Sequence, residues 1–136
     1  MSYFKDVNIL QNVVIDTNNS SDSNLLAGGT FTGTSTSTLG IVGIQVSLHT
    51  DQNCNVYVDQ SPDGDNWDLT DSYRYFSGID NFGITVQAIN SYLRVRVTNV
   101  SLSATTYFRL QTALCPIAEA LPRSLDSSGN LKSAIN

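Results

Sequence analysis

The densest run of reactive side chains is Ser61-Pro62-Asp63-Gly64-Asp65-Asn66-Trp67-Asp68, with three aspartates and an asparagine in eight residues. Oxygen ligands at that density suit calcium. An EF-hand loop, however, places ligands at alternate positions from its first Asp and closes with a bidentate Glu at the twelfth. Counted from Asp63, the fifth position is Trp67 and the twelfth is Arg74, so the pattern fails. An irregular loop could still gather Asp63, Asp65, Asn66 and Asp68, but the turn reading is better supported. Pro62 stands where φ is preset near about −65° and Gly64 stands at the fourth place, the residue usage of a type I turn. The run is expected to join two strands, with Trp67 closing over the end of the core, and no metal ligand is assigned.

Other chemistry is sparse. The single histidine, His49, ends the run Gly43 to Thr50, in which Ile44, Val46 and Leu48 fall on one face and His49 points out with Gln45 and Ser47. One histidine and two distant cysteines, Cys54 and Cys115, make a poor zinc site, since structural zinc takes four close ligands. Two cysteines also fall short of a disulfide framework, and buried free thiols are the expectation. Glycoside cleavage needs only two carboxylates, yet Asp59, Asp63, Asp65, Asp68 and Asp71 cluster in sequence and most of them lie in a turn that water should bathe, with nothing apolar to raise one pKa. No catalytic residue and no cofactor is assigned, and the chain reads as non-enzymatic.

These residues need elements to hold them. The chain has 136 residues, the size of one ordinary domain, and 40% of them are hydrophobic, too many for a disordered chain. Ser, Thr, Val, Asn, Gly and Tyr dominate over Lys, Glu and Ala, a balance that suits strands rather than long helices. In Tyr92-Leu93-Arg94-Val95-Arg96-Val97-Thr98 the apolar residues occupy every second position, the period of a half-buried strand. The same reading predicts about eight strands, over residues 7–15, 26–32, 41–50, 55–60, 72–76, 82–88, 92–98 and 105–114. Polar stretches at 17–24, 34–38 and 99–104 separate them. An all-β, two-sheet antiparallel sandwich follows, either a jelly roll, which is the expectation, or another Greek-key sandwich. It should span residues 1–114, with residues 1–24 an N-terminal strand plus a polar loop.

From Cys115 the pattern changes. CPIAEALPRSLDSSGNLKSAIN has two prolines and a SSGN break, so residues 115–136 are expected to form an extended arm. Its apolar side chains, Ile117, Leu121, Leu125, Leu131 and Ile135, would be buried against a neighbouring subunit or the sandwich itself. On the sandwich, Arg94, Arg96 and Arg109 project outward from two strands that would make a positive stripe if they are neighbours, suited to pairing with a partner's carboxylates. The other surface reading is a carbohydrate-binding module, in which Tyr73 and Tyr75 share an outer face and stack on sugar rings, extended by Trp67 and Tyr92.

The bulk charge narrows the partners. Net charge is −5 with seven Lys and Arg, so nucleic acid and anionic membranes are both disfavoured. The opening MSYFKDVNILQNVV has no charged n-region followed by an apolar stretch and a small-residue cleavage site, so synthesis in a host cytoplasm is expected. Asn18, Asn19 and Asn99 fit the N-x-S/T pattern, and without such a signal they read as chance matches.

The runs NVYVDQSPDGDNWD, LRVRVTNVS, TYFRLQTAL and LPRSLDSSGNLKSAI, in that order, resemble small structural proteins of tailed phages and other viruses. The likeness lies in an S-x-DG-x-NWD turn, an RV-x-V-x-N strand, an FRLQT strand and a tail ending in a GNLK-x-AI-like motif, and it runs from about Leu26 to the end. The resemblance implies a virion component: a jelly-roll module that decorates or cements a capsid, or sits in a tail, baseplate or fibre. It implies contacts with the major capsid protein or other virion proteins, and symmetric assembly, for which a trimer is the expectation. Placed on a tail, baseplate or fibre, a sugar-binding module would instead recognise a host surface.

Overall fold

The computed structural model describes residues 13–79 and 82–117. The nine strands among the described residues, in chain order, are β1 (Val14–Ile15), β2 (Thr30–Thr32), β3 (Thr36–Ser37), β4 (Ile41–Thr50), β5 (Cys54–Ser61), β6 (Leu69–Tyr75), β7 (Phe82–Gln87), β8 (Tyr92–Asn99) and β9 (Phe108–Pro116). One sheet runs β1-β9-β4-β7; the other runs β2-β8-β5-β6, with β3 also on β8. The pairs β1·β9, β2·β8, β3·β8, β4·β7 and β5·β6 are all antiparallel. With β2 and β3 counted as one interrupted strand, these are the pairs first·last, second·second-last and so on inward, which is a long hairpin rolled into two sheets. That connectivity is the jelly roll expected from the sequence.

Alternation puts the core between the sheets. Ile44, Val46 and Leu48 of β4 meet Val56 and Val58 of β5 and Leu93, Val95 and Val97 of β8, all at most 3% exposed, with Leu110 and Leu114 of β9 in the same cluster. Residues 13–115 form one compact unit around this core.

Several boundaries differ from the periodicity. In place of a strand over 26–32, Gly28 takes a left-handed φ of 74°, and a turn holds residues 26–29, so pairing with β8 starts at Thr30. The strand expected at 72–76 starts earlier, at Leu69, because its register on β5 extends to Gln60↔Leu69. The strand expected at 105–114 starts at Phe108, after a loop held by side chains, and runs to Pro116. Of the strand expected at 7–15, Val14–Ile15 is observed, and residues 7–12 lie outside the described residues.

The polar stretch at 34–38, expected to be loop, contains β3. It and β2 occupy the same edge of β8, which they share end to end: Thr32↔Arg96 closes one ladder and Thr36↔Leu93 opens the next. Asn19, at the end of a 3₁₀ turn over Thr17–Asn19, fills the gap between them. Its Oδ1 accepts from Val95 N at 2.7 Å, in place of the missing strand, while Gly33 N donates to Val95 O at 2.9 Å. Its Nδ2 donates to Asp16 Oδ2 and Thr34 O. A Cβ at Gly33 would collide with this amide, so glycine lets the two segments close.

Candidate functional site

The SPDGDNWD run is a self-contained turn between β5 and β6. Ser61 Oγ accepts from Asp63 N and Gly64 N at 3.2 and 2.8 Å. Asp63 Oδ1 then accepts from Asp65 N and Asn66 N at 2.9 and 2.8 Å, and Asn66 Nδ2 donates to Oδ2. The Asn66 and Asp65 amide N–H groups, with the Asn66 side chain, hold the Asp63 carboxyl well below the usual carboxylate range. Gly64 has φ 87°, and its α-carbon lies over the Tyr92 ring, where an added Cβ would stand 3.6 Å away. The turn chemistry expected from Pro62 and Gly64 is thus elaborated by side-chain acceptors. Among the described residues no group of three or more His, Cys, Asp or Glu side chains could hold a metal.

The turn delivers Trp67 to the outer face of the β2-β8-β5-β6 sheet, where it stacks on a guanidinium rather than closing the end of the core. Cross-strand register places Asp59 opposite Arg94 and Tyr57 opposite Arg96. Asp59 is fully buried although it points away from the core. Its carboxylate accepts from Arg96 Nε at 2.7 Å and Nη2 at 3.0 Å, from Arg94 Nε at 3.0 Å and from Thr70 Oγ1 at 2.8 Å. Two aromatic rings roof the ion cluster, Trp67 against Arg94 and Tyr57 against Arg96, each with the guanidinium carbon 4.4 Å from the ring centroid. Burial raises the Asp59 pKa, but the hydrogen bonds of Arg96, Thr70 and Arg94 together outweigh it and leave the carboxyl below its ordinary value.

This cluster corrects the sequence reading in three ways. Asp59 is not bathed by water, because both flanking strands cover it. Arg94 and Arg96 are satisfied within the chain by that carboxylate. Arg109 is not their neighbour: it lies on β9, in the opposite sheet, so the three arginines form no stripe. The signal missed in the sequence was the cross-strand position of Asp59, legible only once β5 is known to lie between β6 and β8.

The aromatic platform is also corrected. Tyr75 is 2% exposed, and its hydroxyl accepts from Thr50 N at 3.1 Å and donates to Thr50 O at 2.9 Å. It belongs to the core, where Phe82 meets its ring edge-on with centroids 5.6 Å apart. Tyr73 faces the same inward way, half-buried against the core. Tyr92 is half-buried beneath Gly64. The four aromatics therefore share no flat exposed surface.

The remaining predicted residues are dispersed. Of the arm, Ile117 is exposed, and Leu121, Leu125, Leu131 and Ile135 lie outside the described residues. Cys54 and Cys115 are free thiols; Cys54 is buried, which pushes its pKa up to about 11, while Cys115 is half-buried. Asn19 and Asn99 are fully buried, with their amides spent on internal hydrogen bonds, which excludes them as glycan acceptors in the folded chain. His49 is exposed, as its strand alternation requires, with its ring 5.0 Å from that of Tyr107. No helix among the described residues is long and apolar enough to cross a membrane.

Among known proteins, no curated sequence matches the chain. Its fold is similar to that in the crystal structure of PBSX exported protein XepA, with a TM-score of 0.68 and 16% identity. The match covers 89% of this chain and 42% of that protein, so the chain spans less than half of its neighbour. Residues 6–114, which take in the described strands β1 to β8 and all but the last two residues of β9, match the family described as "Uncharacterised protein YqxG N-terminal domain", and the chain belongs to that family.

Proposed function

We propose that the chain is a non-enzymatic structural protein of a phage particle, a capsid decoration or cement protein that acts through protein–protein contacts with the major capsid protein or another virion protein. One observation carries this reading: the motifs that resemble phage structural proteins are spent on building the jelly roll. The S-x-DG-x-NWD run folds on itself and supplies Trp67, the RV-x-V-x-N run supplies both arginines that seal Asp59, and the FRLQT run is a central strand. Residues shared for a scaffold mark a body whose work is to present surfaces. A trimer, with the 115–136 segment as its assembly arm, is part of the proposal.

The test is mass spectrometry of density-purified particles from the host that encodes the chain, with and without the gene. Stoichiometric presence on the particle, and particles that burst at lower temperature without it, are the expected results. Light scattering on the full chain and on a version ending at Leu114 should give a defined oligomer and a monomer. The name of the fold neighbour, an exported protein, favours a second reading, in which the chain acts free of the particle. Recovery only in the particle-free lysate would establish that reading and overturn decoration. The sugar-binding reading through Trp67, Tyr73, Tyr75 and Tyr92 is weakened by the burial of Tyr75 and the Arg94 stack on Trp67.

A further inference from the structure

The outer face of the β1-β9-β4-β7 sheet differs from its counterpart. On β4, Ser47 and His49 point outward, alternating with the core residues Val46 and Leu48; on β9, Arg109 and Gln111 point outward on either side of Leu110. Register places Gly83 of β7 opposite Ser47, and the space where its side chain would stand is open, with nothing within 4 Å of an added Cβ. A hydroxymethyl and a glycine thus make a low floor, and Arg109, Gln111 and His49 rise around it, while Phe82, opposite the inward Leu48, turns its ring to the core. The result is a groove of about 430 Å³, within the size range of small-ligand sites.

Its chemistry is one-sided. Arg109 presents a guanidinium fork, and among the described residues no carboxylate pairs with it, since the ion pairs found involve Arg94 and Arg96 on the other face. Gln111, Ser47 and the His49 ring add polar donors and acceptors, and among the described residues no Asp or Glu lines the groove. One end is fixed in place. Thr50 Oγ1 donates to Tyr107 O at 2.7 Å, and Asp51 accepts from Thr106 N at 3.0 Å and from its hydroxyl at 2.6 Å, which anchors Tyr107 against His49. The His49–Tyr107 pair supplies ring surface.

We infer that this groove binds an acidic saccharide, with the sugar carboxylate on Arg109, ring hydroxyls on Gln111 and Ser47, and the C–H face of the ring against the His49–Tyr107 pair. A fork donor suits a planar carboxylate held by two parallel hydrogen bonds. Amide and hydroxyl partners beside aromatic rings suit a polyol rather than a bare anion. The site is distinct from the aromatics around Trp67, which lie on the other sheet, and it does not depend on the virion reading.

The test uses the full-length chain labelled with ¹⁵N and titrated separately with sodium glucuronate, glucose and inorganic phosphate. Glucuronate should shift amides of residues 47–49, 82–85 and 107–111 at millimolar concentration, with glucose at least tenfold weaker. Arg109→Gln should weaken glucuronate binding at least tenfold. Gly83→Val, whose branched side chain suits a strand and enters open space, should abolish it while leaving the rest of the spectrum unchanged. Shifts elsewhere, none at all, or an unchanged affinity in Arg109→Gln would overturn the assignment. Phosphate shifting the same amides as strongly as glucuronate would also overturn it, by reducing the site to a simple anion contact.

Discussion

Replacement of Asp59 by Asn keeps the shape of the side chain and removes the charge that holds Arg94, Arg96 and Thr70 together. The carboxylate is 1% exposed, while its arginine partners are 24% and 30% exposed. Breaking a fully buried ion pair costs roughly 3–5 kcal/mol, largely because the surviving charge is stranded. Here both arginines keep access to water, so the loss is discounted to about 2–3 kcal/mol. That lowers Tm by on the order of 10 °C and moves the urea midpoint by about 1 M. Trp67, the single tryptophan, stacks on Arg94, so its fluorescence reports both the cluster and global unfolding.

The pH dependence follows from the depressed Asp59 pKa. A carboxylate whose folded pKa lies below its unfolded value of about 3.9 contributes stability that is fully present above that value and lost as pH falls through the folded pKa. Wild-type protein should therefore lose stability steadily below about pH 4, and Asp59→Asn should show a shallower decline over the same range. An Asn variant within about 0.5 kcal/mol of wild type, with an identical acid limb, would refute the argument and reduce the cluster to an ordinary surface ion pair.

Asn19→Ala removes the acceptor that replaces a strand opposite Val95 N and leaves that buried N–H unpaired; a loss of about 2 kcal/mol in urea unfolding is expected, and a loss below about 0.5 would show that water fills the gap. Tyr75→Phe removes two hydrogen bonds to the Thr50 backbone from a buried site, with an expected cost of about 1–2 kcal/mol by the same assay and no change in fold by circular dichroism. With its pKa raised to about 11 by burial, Cys54 is thiolate in on the order of one molecule in a thousand at pH 8, so a thiol reagent should label Cys115 first and Cys54 only as the chain opens.

What was legible in the sequence was whatever depends on period alone. The alternation in 92–98 and 43–50 placed Leu93, Val95, Val97, Ile44, Val46 and Leu48 in the core, where each is at most 3% exposed. Pro62 and Gly64 marked a turn because their backbone preferences are local. The same logic misplaced Tyr73 and Tyr75. Alternation states that two residues share a face but not which face, and that choice depends on the partner strand: Tyr73 pairs with Val56, and Cys54 with Tyr75, on the inward side of β5. Arg109 was grouped with Arg94 and Arg96 because all three alternate outward, yet this jelly roll sends the consecutive strands β8 and β9 to opposite sheets. β3 was hidden because Thr and Ser dominate it, and its two residues are held by the β8 edge rather than by apolar burial.

The two outer faces divide the labour of the fold. On one, Asp59, Arg94 and Arg96 neutralise most of each other's charge, and the rings of Trp67 and Tyr57 cover what remains, so the centre of that face gains rigidity and its two guanidinium groups are spent within the chain. On the other, Arg109 has no such counterion among the described residues, and a glycine keeps the surface open beside it. An inert scaffold alone would gain nothing from a guanidinium held next to an empty strand position. A structural particle protein that also recognises an acidic surface would need a face of this kind, with the charge left unspent and a fixed aromatic edge beside it. The sheet carrying Asp59 therefore accounts for why the body is stable, and the sheet carrying Arg109 is where substitutions should alter recognition without altering stability.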